Sequence, residues 1–264
     1  MTDRVQLTLE DHVATVRLSR PDKLNALDGP MFEGLIEAGE KLLAEKSLRA
    51  VVLHGEGRAF CAGLDFASVM ASPDLIPRLL GRDEKSPANL VQRIAWIWQE
   101  LPVPVIAAVH GVCFGGGLQI ALGADLRYVA ADAELSVMEI KWGLIPDMSI
   151  SVTLPRLVPL DVAKELTFTG RKVPGSEAVQ LGLATRVCED PLAEALETAR
   201  LIASKSPHAI RAGKRLLNEA PAMSVADALV LETELQMTLL GSPNQMEAIQ
   251  ANMMKRDPEF ADPE

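Results

Sequence analysis

Between Leu101 and Ala124 the chain carries no formally charged residue. A run of that length is long enough to cross a bilayer as a helix. Its interior argues against a span: Pro102, Pro104, five glycines, His110 and Gln119 interrupt it. Inside a soluble protein such a segment has to be covered on both faces, as a central parallel strand is covered by helices. Val103 to Val109 has the composition of that strand, and Leu118 to Leu126 that of a helix. Between them lies Gly111-Val112-Cys113-Phe114-Gly115-Gly116-Gly117. Three successive glycines weaken a strand or a helix, but they suit the junction of the two. Bare backbone there lets a ligand approach, and the first N–H groups of the helix point outward at its positive end. A phosphate or a developing oxyanion fits such a turn. A turn required only by packing is the alternative.

The rest of the chain extends the pattern of strand, glycine turn and helix. Val5 to Leu9 and Val13 to Leu18 flank Glu10-Asp11-His12 and predict a hairpin. Asp28 to Ala44 has helical apolar spacing, with Asp28 as cap and Pro30 in the first turn. Ala50 to Leu53 is a buried strand running into Gly55 and Gly57, and Leu90 to Leu101 is a helix. Ser68 to Pro87 is polar and contains proline, the composition of short helix and mobile loop over a binding site. From about Val158 to Asp257 the pattern is mostly helical, with helices at Asp190–Lys205, Pro207–Glu219, Val225–Leu240 and Asn244–Met254. The pattern alone is compatible with a doubly wound α/β sheet.

At 264 residues, 48% of them hydrophobic, the chain can bury one sizeable core. Its net charge of −10 argues against a nucleic-acid partner, because phosphate neutralisation needs a basic face. Cys61, Cys113 and Cys188 are odd in number and widely spaced, which suits buried free thiols in a reducing compartment and not a zinc site. With no apolar leader after Met1-Thr2-Asp3-Arg4, the expectation is a cytoplasmic protein with no membrane contact and no metal.

Five motifs in register resemble the crotonase superfamily, the enoyl-CoA hydratase/isomerase family. They are Arg20-Pro21-Asp22-Lys23-Leu24-Asn25-Ala26-Leu27, Gly55 to Asp65, Gly111 to Gln119, Leu135 to Asp147, and Thr169-Gly170-Arg171 followed by Ala178 to Ala184. The resemblance covers nearly the whole chain. It implies a crotonase-like spiral of repeated ββα units over residues 1–190, carrying the acyl-CoA site. It also implies a helical region over 191–264 that covers the site and builds homotrimers or dimers of trimers. Coenzyme A enters as part of the substrate, and no further cofactor is expected.

By position, the resemblance makes the N–H groups of Leu64 and Gly116 the oxyanion hole for a thioester carbonyl. Glu139 is the acid/base, and its setting among Val137, Met138 and Ile140 would raise its pKa on burial. The alternative for it is an exposed strand-end glutamate. Two-carboxylate hydratases carry a glutamate where this chain has Gln119, which cannot exchange a proton but can orient a water. Dienoyl-CoA isomerases use a glutamate and an aspartate spaced like Glu139 and Asp147, with a further aspartate where Gln119 stands. Asp147 is thus either a catalytic partner or, before Ser149 and Ser151, a turn and helix cap. Ala62, Asp65, Gln119 and Trp142 fall at substrate-contact positions, Trp142 with a core role as its alternative. Lys23 and Lys255 fall at the nucleotide end, where Lys255 is otherwise a solvated helix end. The lysine that the family has soon after the first oxyanion motif is absent, since Phe66-Ala67 follow Asp65. Hydration of 2-enoyl-CoA and isomerisation of 3-enoyl- or dienoyl-CoA are both open. A non-catalytic acyl-CoA binding protein on the same fold is the alternative function, and a dinucleotide-binding oxidoreductase is disfavoured because Gly115 to Ile120 lacks the last glycine of G-x-G-x-x-G.

Overall fold

The computed structural model describes residues 2–72, 74–82 and 86–263. Strands β1 (Val5–Glu10) and β2 (Val13–Leu18) form the expected antiparallel hairpin, closed by Asp11 and His12 in the left-handed region. Helix α1 (Gly29–Ala44) starts where Asp28 accepts the Met31 N–H at 3.0 Å, so the cap lies where the sequence put it. Strand β3 (Ala50–Gly55) follows, and after it the short helices α2 (Phe66–Met70) and α3 (Leu75–Leu80) and the longer α4 (Leu90–Glu100). The polar stretch 68–87 thus holds short helices as expected; residues 73 and 83–85 within it lie outside the described residues.

The uncharged segment resolves into β4 (Val105–Val109), β5 (Val112–Phe114) and α5 (Gly116–Gly123). The helix begins and ends earlier than its apolar run predicts, and close packing is the reason. A β-carbon on Gly117 would stand 2.3 Å from the Cys61 carbonyl oxygen, and one on Gly123 would stand 2.0 Å from that of Ala95. Glycine at both ends lets α5 press against the Cys61 turn and α4. Leu126 then opens β6 (Leu126–Ala130), followed by β7 (Glu134–Ser136), α6 (Ile150–Thr153), α7 (Leu160–Thr169), β8 (Val173–Pro174), α8 (Gly175–Leu181) and β9 (Arg186–Cys188). Two short strands therefore lie in a region whose pattern reads as mostly helical; at two and three residues they are too short to show a period of two.

The strands form two sheets. The larger has the order β1-β2-β3-β4-β6-β9, parallel beyond the first hairpin. The smaller is β5-β7-β8, extended by the parallel bridges Cys61↔Cys113 and Leu27↔Leu64. Each turn of chain therefore runs a strand in the first sheet, a short strand or bridge in the second, then helix. That is a ββα spiral, and a doubly wound sheet is excluded. Buried side chains of both sheets and of α1, α4 and α5 make one continuous core.

The C-terminal helices are α9 (Pro191–Ala203), α10 (Pro207–Glu219), α11 (Val225–Leu239) and α12 (Pro243–Met254), within a residue or two of their sequence boundaries. Ala195, Ala199 and Ala203 of α9 pack on the outer face of the large sheet against Val52, Ile106 and Tyr128. The buried Lys214 anchors α10, bonding Asp125 at 2.8 Å and the carbonyls of Trp98 and Val103 at 3.0 and 2.9 Å. No helix among the described residues is long and apolar enough to cross a membrane.

Candidate active site

Two glycine turns meet beneath one cavity. The first, Cys61 to Leu64, is pinned on one side to the 20–27 strap, with Ala62 N–H donating to the Leu24 carbonyl at 2.9 Å and Leu27 N–H to that of Gly63 at 2.8 Å. Gly63 has φ +87° and Gly115 φ +51°, conformations that favour glycine. A β-carbon on Gly63 would lie 3.5 Å from the Gly116 nitrogen, so the two turns touch. Neither the Leu64 nor the Gly116 N–H has a backbone acceptor among the described residues. Gly116 opens α5, where the helix dipole adds to the donor strength.

The cavity above these turns encloses about 340 Å³. Ala62, Gly63, Leu64, Gly115 and Gly116 form its floor, and Glu139, Trp142, Asp147 and Met148 one wall. Side chains of α2 and α3, among them Phe66, Val69 and Leu79, form the other wall. Trp142 is 53% exposed and stacks against Phe66 at 4.4 Å between ring centroids, so its core alternative does not hold. The lining is apolar except for the two carboxyl groups and the backbone.

Glu139 opens a 3-10 turn, Glu139–Trp142, separated from the end of β7 by two residues. Its Oε1 lies beside Gly115, where an added β-carbon would stand 3.1 Å away. Burial raises its pKa, which its own backbone N–H and then the Gln119 hydrogen bond offset in part and the charge of Asp147 reinforces. The Oε2 atom is buried and has no protein partner. The exposed strand-end reading is therefore wrong. Asp147 stands on the same wall, open to solvent on one side, and partial desolvation raises its carboxyl too. It does not cap α6: the cap residue is Ser149, whose side chain makes no cap bond.

Two expectations need correction. Gln119 is 1% exposed and lies behind Glu139, outside the cavity lining. Its Nε2 donates to Glu139 Oε1 at 2.6 Å and its Oε1 accepts the Met148 N–H at 2.8 Å, so both ends of the carboxamide are engaged by the protein. Asp65 points away from the cavity. It caps α2 through Ser68, at 3.2 Å to N–H and 2.8 Å to Oγ, and pairs with the buried Arg20 at 2.8 Å; the Ser68 bonds, then Arg20, lower its pKa to about 2. Lys23 and Lys255 are exposed and lie outside the cavity lining, which leaves the nucleotide-end expectation standing; Lys23 adjoins Leu24, which holds Ala62.

Sequence reasoning missed Asn25. It is fully buried with φ +56°, accepts the Arg20 N–H at 2.8 Å, and donates to the carbonyls of Glu56, Ala59 and Phe60 at 3.0, 2.8 and 3.2 Å. It stitches the strap to the first glycine turn. A lone asparagine in a loop gives no sign of this before the loops meet.

Two turns of free N–H groups facing a carboxyl-bearing apolar cavity, built on a ββα spiral, define a crotonase-type enzyme fold. The enoyl-CoA hydratase/isomerase family model matches residues 8–263, and the chain belongs to that family. It is 34% identical to the mitochondrial Delta(3,5)-Delta(2,4)-dienoyl-CoA isomerase of Rattus norvegicus over 97% of this chain and 81% of that protein. It is 33% identical to the putative enoyl-CoA hydratase/isomerase YngF of Bacillus subtilis over 97% of both chains. The crystal structure of an enoyl-CoA hydratase from Bacillus anthracis superposes with a TM-score of 0.89 at 28% identity, covering 98% of this chain and 99% of that one. The protein is an acyl-CoA-processing enzyme of the hydratase/isomerase family.

Proposed function

We propose that this enzyme moves double bonds in a dienoyl-CoA or 3-enoyl-CoA thioester. One observation carries the reading: Glu139 and Asp147 face one apolar cavity, both with raised pKa, while the place of a further carboxylate is filled by a sealed Gln119. The thioester oxygen sits between the N–H groups of Leu64 and Gly116. Glu139, beside that turn, takes the proton from the carbon next to the carbonyl, and the electron pair enters the dienolate held by the two donors. Asp147, protonated, returns a proton at the far end of the conjugated system. Both carboxyls then reset with solvent, and no cofactor is needed. Trp142 and Phe66 line the acyl chain, Ala62 lies against the thioester, and Lys23 and Lys255 serve the nucleotide end.

The test is incubation with 3,5-dienoyl-, 3-enoyl- and 2-enoyl-CoA in deuterated water, followed by mass spectrometry. Isomerised product labelled with deuterium is expected. Fast hydration of 2-enoyl-CoA that survives Asp147→Asn would replace this reading with a hydratase working through Glu139. The names of relatives such as the putative enoyl-CoA hydratase of Thermus thermophilus, 35% identical over 94% of this chain, favour that second reading. Unchanged substrate in all three tubes would leave an acyl-CoA binding protein.

The reading extends to assembly. The surface of the single chain, 13326 Å², exceeds the roughly 11,000 Å² of a compact monomer of this mass. Large apolar side chains are exposed on α10 and α11, among them Leu217, Val225, Leu229 and Met237. A homotrimer, alone or as a dimer of trimers, would bury these faces, with 191–264 as its contact region. Among the described residues none of 191–264 lines the cavity, so any cover from that region comes with assembly. Three buried free thiols fit a cytoplasmic location.

A further inference from the structure

We propose that Gln119 is a positioning residue that holds Glu139 in one orientation and leaves Oε2 as the single oxygen through which Glu139 exchanges protons. The inference rests on the acid/base role proposed for Glu139 and adds to it which atom does the work.

The carboxamide of Gln119 has one permitted orientation. The Met148 N–H can only donate, so the group facing it at 2.8 Å must be the amide oxygen. The NH₂ end must then face Glu139 Oε1, at 2.6 Å. The oxygen that accepts the amide N–H is favoured as the carbonyl oxygen of the protonated acid, because a carbonyl oxygen is a stronger acceptor than a hydroxyl. When Glu139 is protonated, the proton belongs on Oε2. That atom is buried, lacks a protein partner, and sits on a residue that lines the cavity. A buried acceptor without a partner is costly to the fold, an arrangement expected where an atom is kept for chemistry. The same carboxamide ties Glu139 to Met148, next to Asp147, so the two carboxyls are held on one frame.

The ionisable surroundings of Glu139 are few. Asp147 faces it from the loop before α6. Helix α5 has no ionisable residue between Gly116 and Gly123. The thiols of Cys61 and Cys113 below are kept protonated by burial, Cys61 with its pKa pushed up to about 12. Lys141 on the same turn lies over the Trp142 ring. On α7, packed behind the turn, are Asp161, Lys164 and Glu165, the last paired with Arg171.

The test uses Gln119→Met, which keeps the volume and removes both bonds, and Gln119→Glu, which keeps an acceptor for Met148 and removes the donor. Two readouts are taken. One is the pH profile of kcat/KM with the best substrate. The other is the carboxyl ¹³C titration of Glu139 in the free protein, assigned by its loss in Glu139→Gln. In Gln119→Met the acidic limb and the ¹³C titration both move to higher pH, because a donor that favoured the carboxylate is gone. Turnover falls about tenfold or more with KM within a few-fold, as expected when a reacting group loses its orientation. In Gln119→Glu, two carboxyls at hydrogen-bond distance share a proton, and Glu139 titrates in two steps with the upper one raised. A folded variant in which Glu139 titrates as in the wild type overturns the clamp. If Gln119→Met does not fold, Gln119→Glu decides alone. An active Glu139→Gln would instead sink the acid/base reading, while the ¹³C titration still judges the clamp.

Discussion

At Glu139 the protein holds a carboxylate where water would solvate it better, and that cost has a measurable sign. Its folded pKa lies above the unfolded value of 4.5. A carboxyl of that kind adds stability that is complete below the unfolded pKa and is lost as pH rises through the folded one. At pH 7 the residue is therefore a burden on the fold. Glu139→Gln should raise the Tm at pH 7, with the gain shrinking toward pH 4, while turnover drops by at least about 100-fold and acyl-CoA affinity stays within a few-fold. Calorimetry across pH alongside an activity assay checks both, and near wild-type turnover would remove Glu139 from the mechanism. Asp147 separates from a structural role in the same way. Asp147→Asn should cut isomerisation by a factor near that of Glu139→Gln and leave the Tm within a degree or two. A loss of stability near that of a missing cap, about 1 kcal/mol, with activity intact would contradict the assignment.

Among the elements, the two glycine turns respond to substitution for different reasons. A β-carbon on Gly116 would stand 2.7 Å from Met148 Sδ and 2.8 Å from Leu27 Cδ1. Gly116→Val should abolish turnover with the circular dichroism spectrum retained, since flexible side-chain ends can yield while the approach to the N–H is blocked. Full activity in that variant would reduce the turn to a packing device. The strap held by Asn25 should behave in the opposite way. Asn25→Ala removes the acceptor and donor that bind four backbone groups. It should lower stability by at least about 2 kcal/mol and weaken activity only through the loosened Leu64 turn. Denaturant unfolding gives the first quantity. A stability unchanged within error would show that the strap is held by Arg20 with Asp28 and Asp65 instead.

For the whole molecule the prediction concerns assembly. Leu229 and Met237 are 57% and 67% exposed on α11, which is apolar around most of its surface. Sedimentation should give three or six copies, and Leu229→Glu with Met237→Glu should shift the mass toward the monomer without unfolding it. A wild-type monomer would refute the assembly and leave these faces unexplained.

Local signals in the sequence determined the elements: the cap at Asp28, glycines at the turns, and helical periods in α1, α4 and α9 to α12 all act within one or two turns of chain. The spiral and the places of Leu64, Gly116, Glu139 and Asp147 came from motif resemblance, because matching motifs carry their spatial arrangement with them. Composition and period alone allowed a doubly wound sheet. Tertiary structure decided the partners. Gln119 meets Glu139 and Met148 from 20 and 29 residues away, and Asp65 meets Arg20 from 45. No local rule assigns a buried polar side chain to one of several distant acceptors. Only the packed core, which has to satisfy every group it buries, makes that choice.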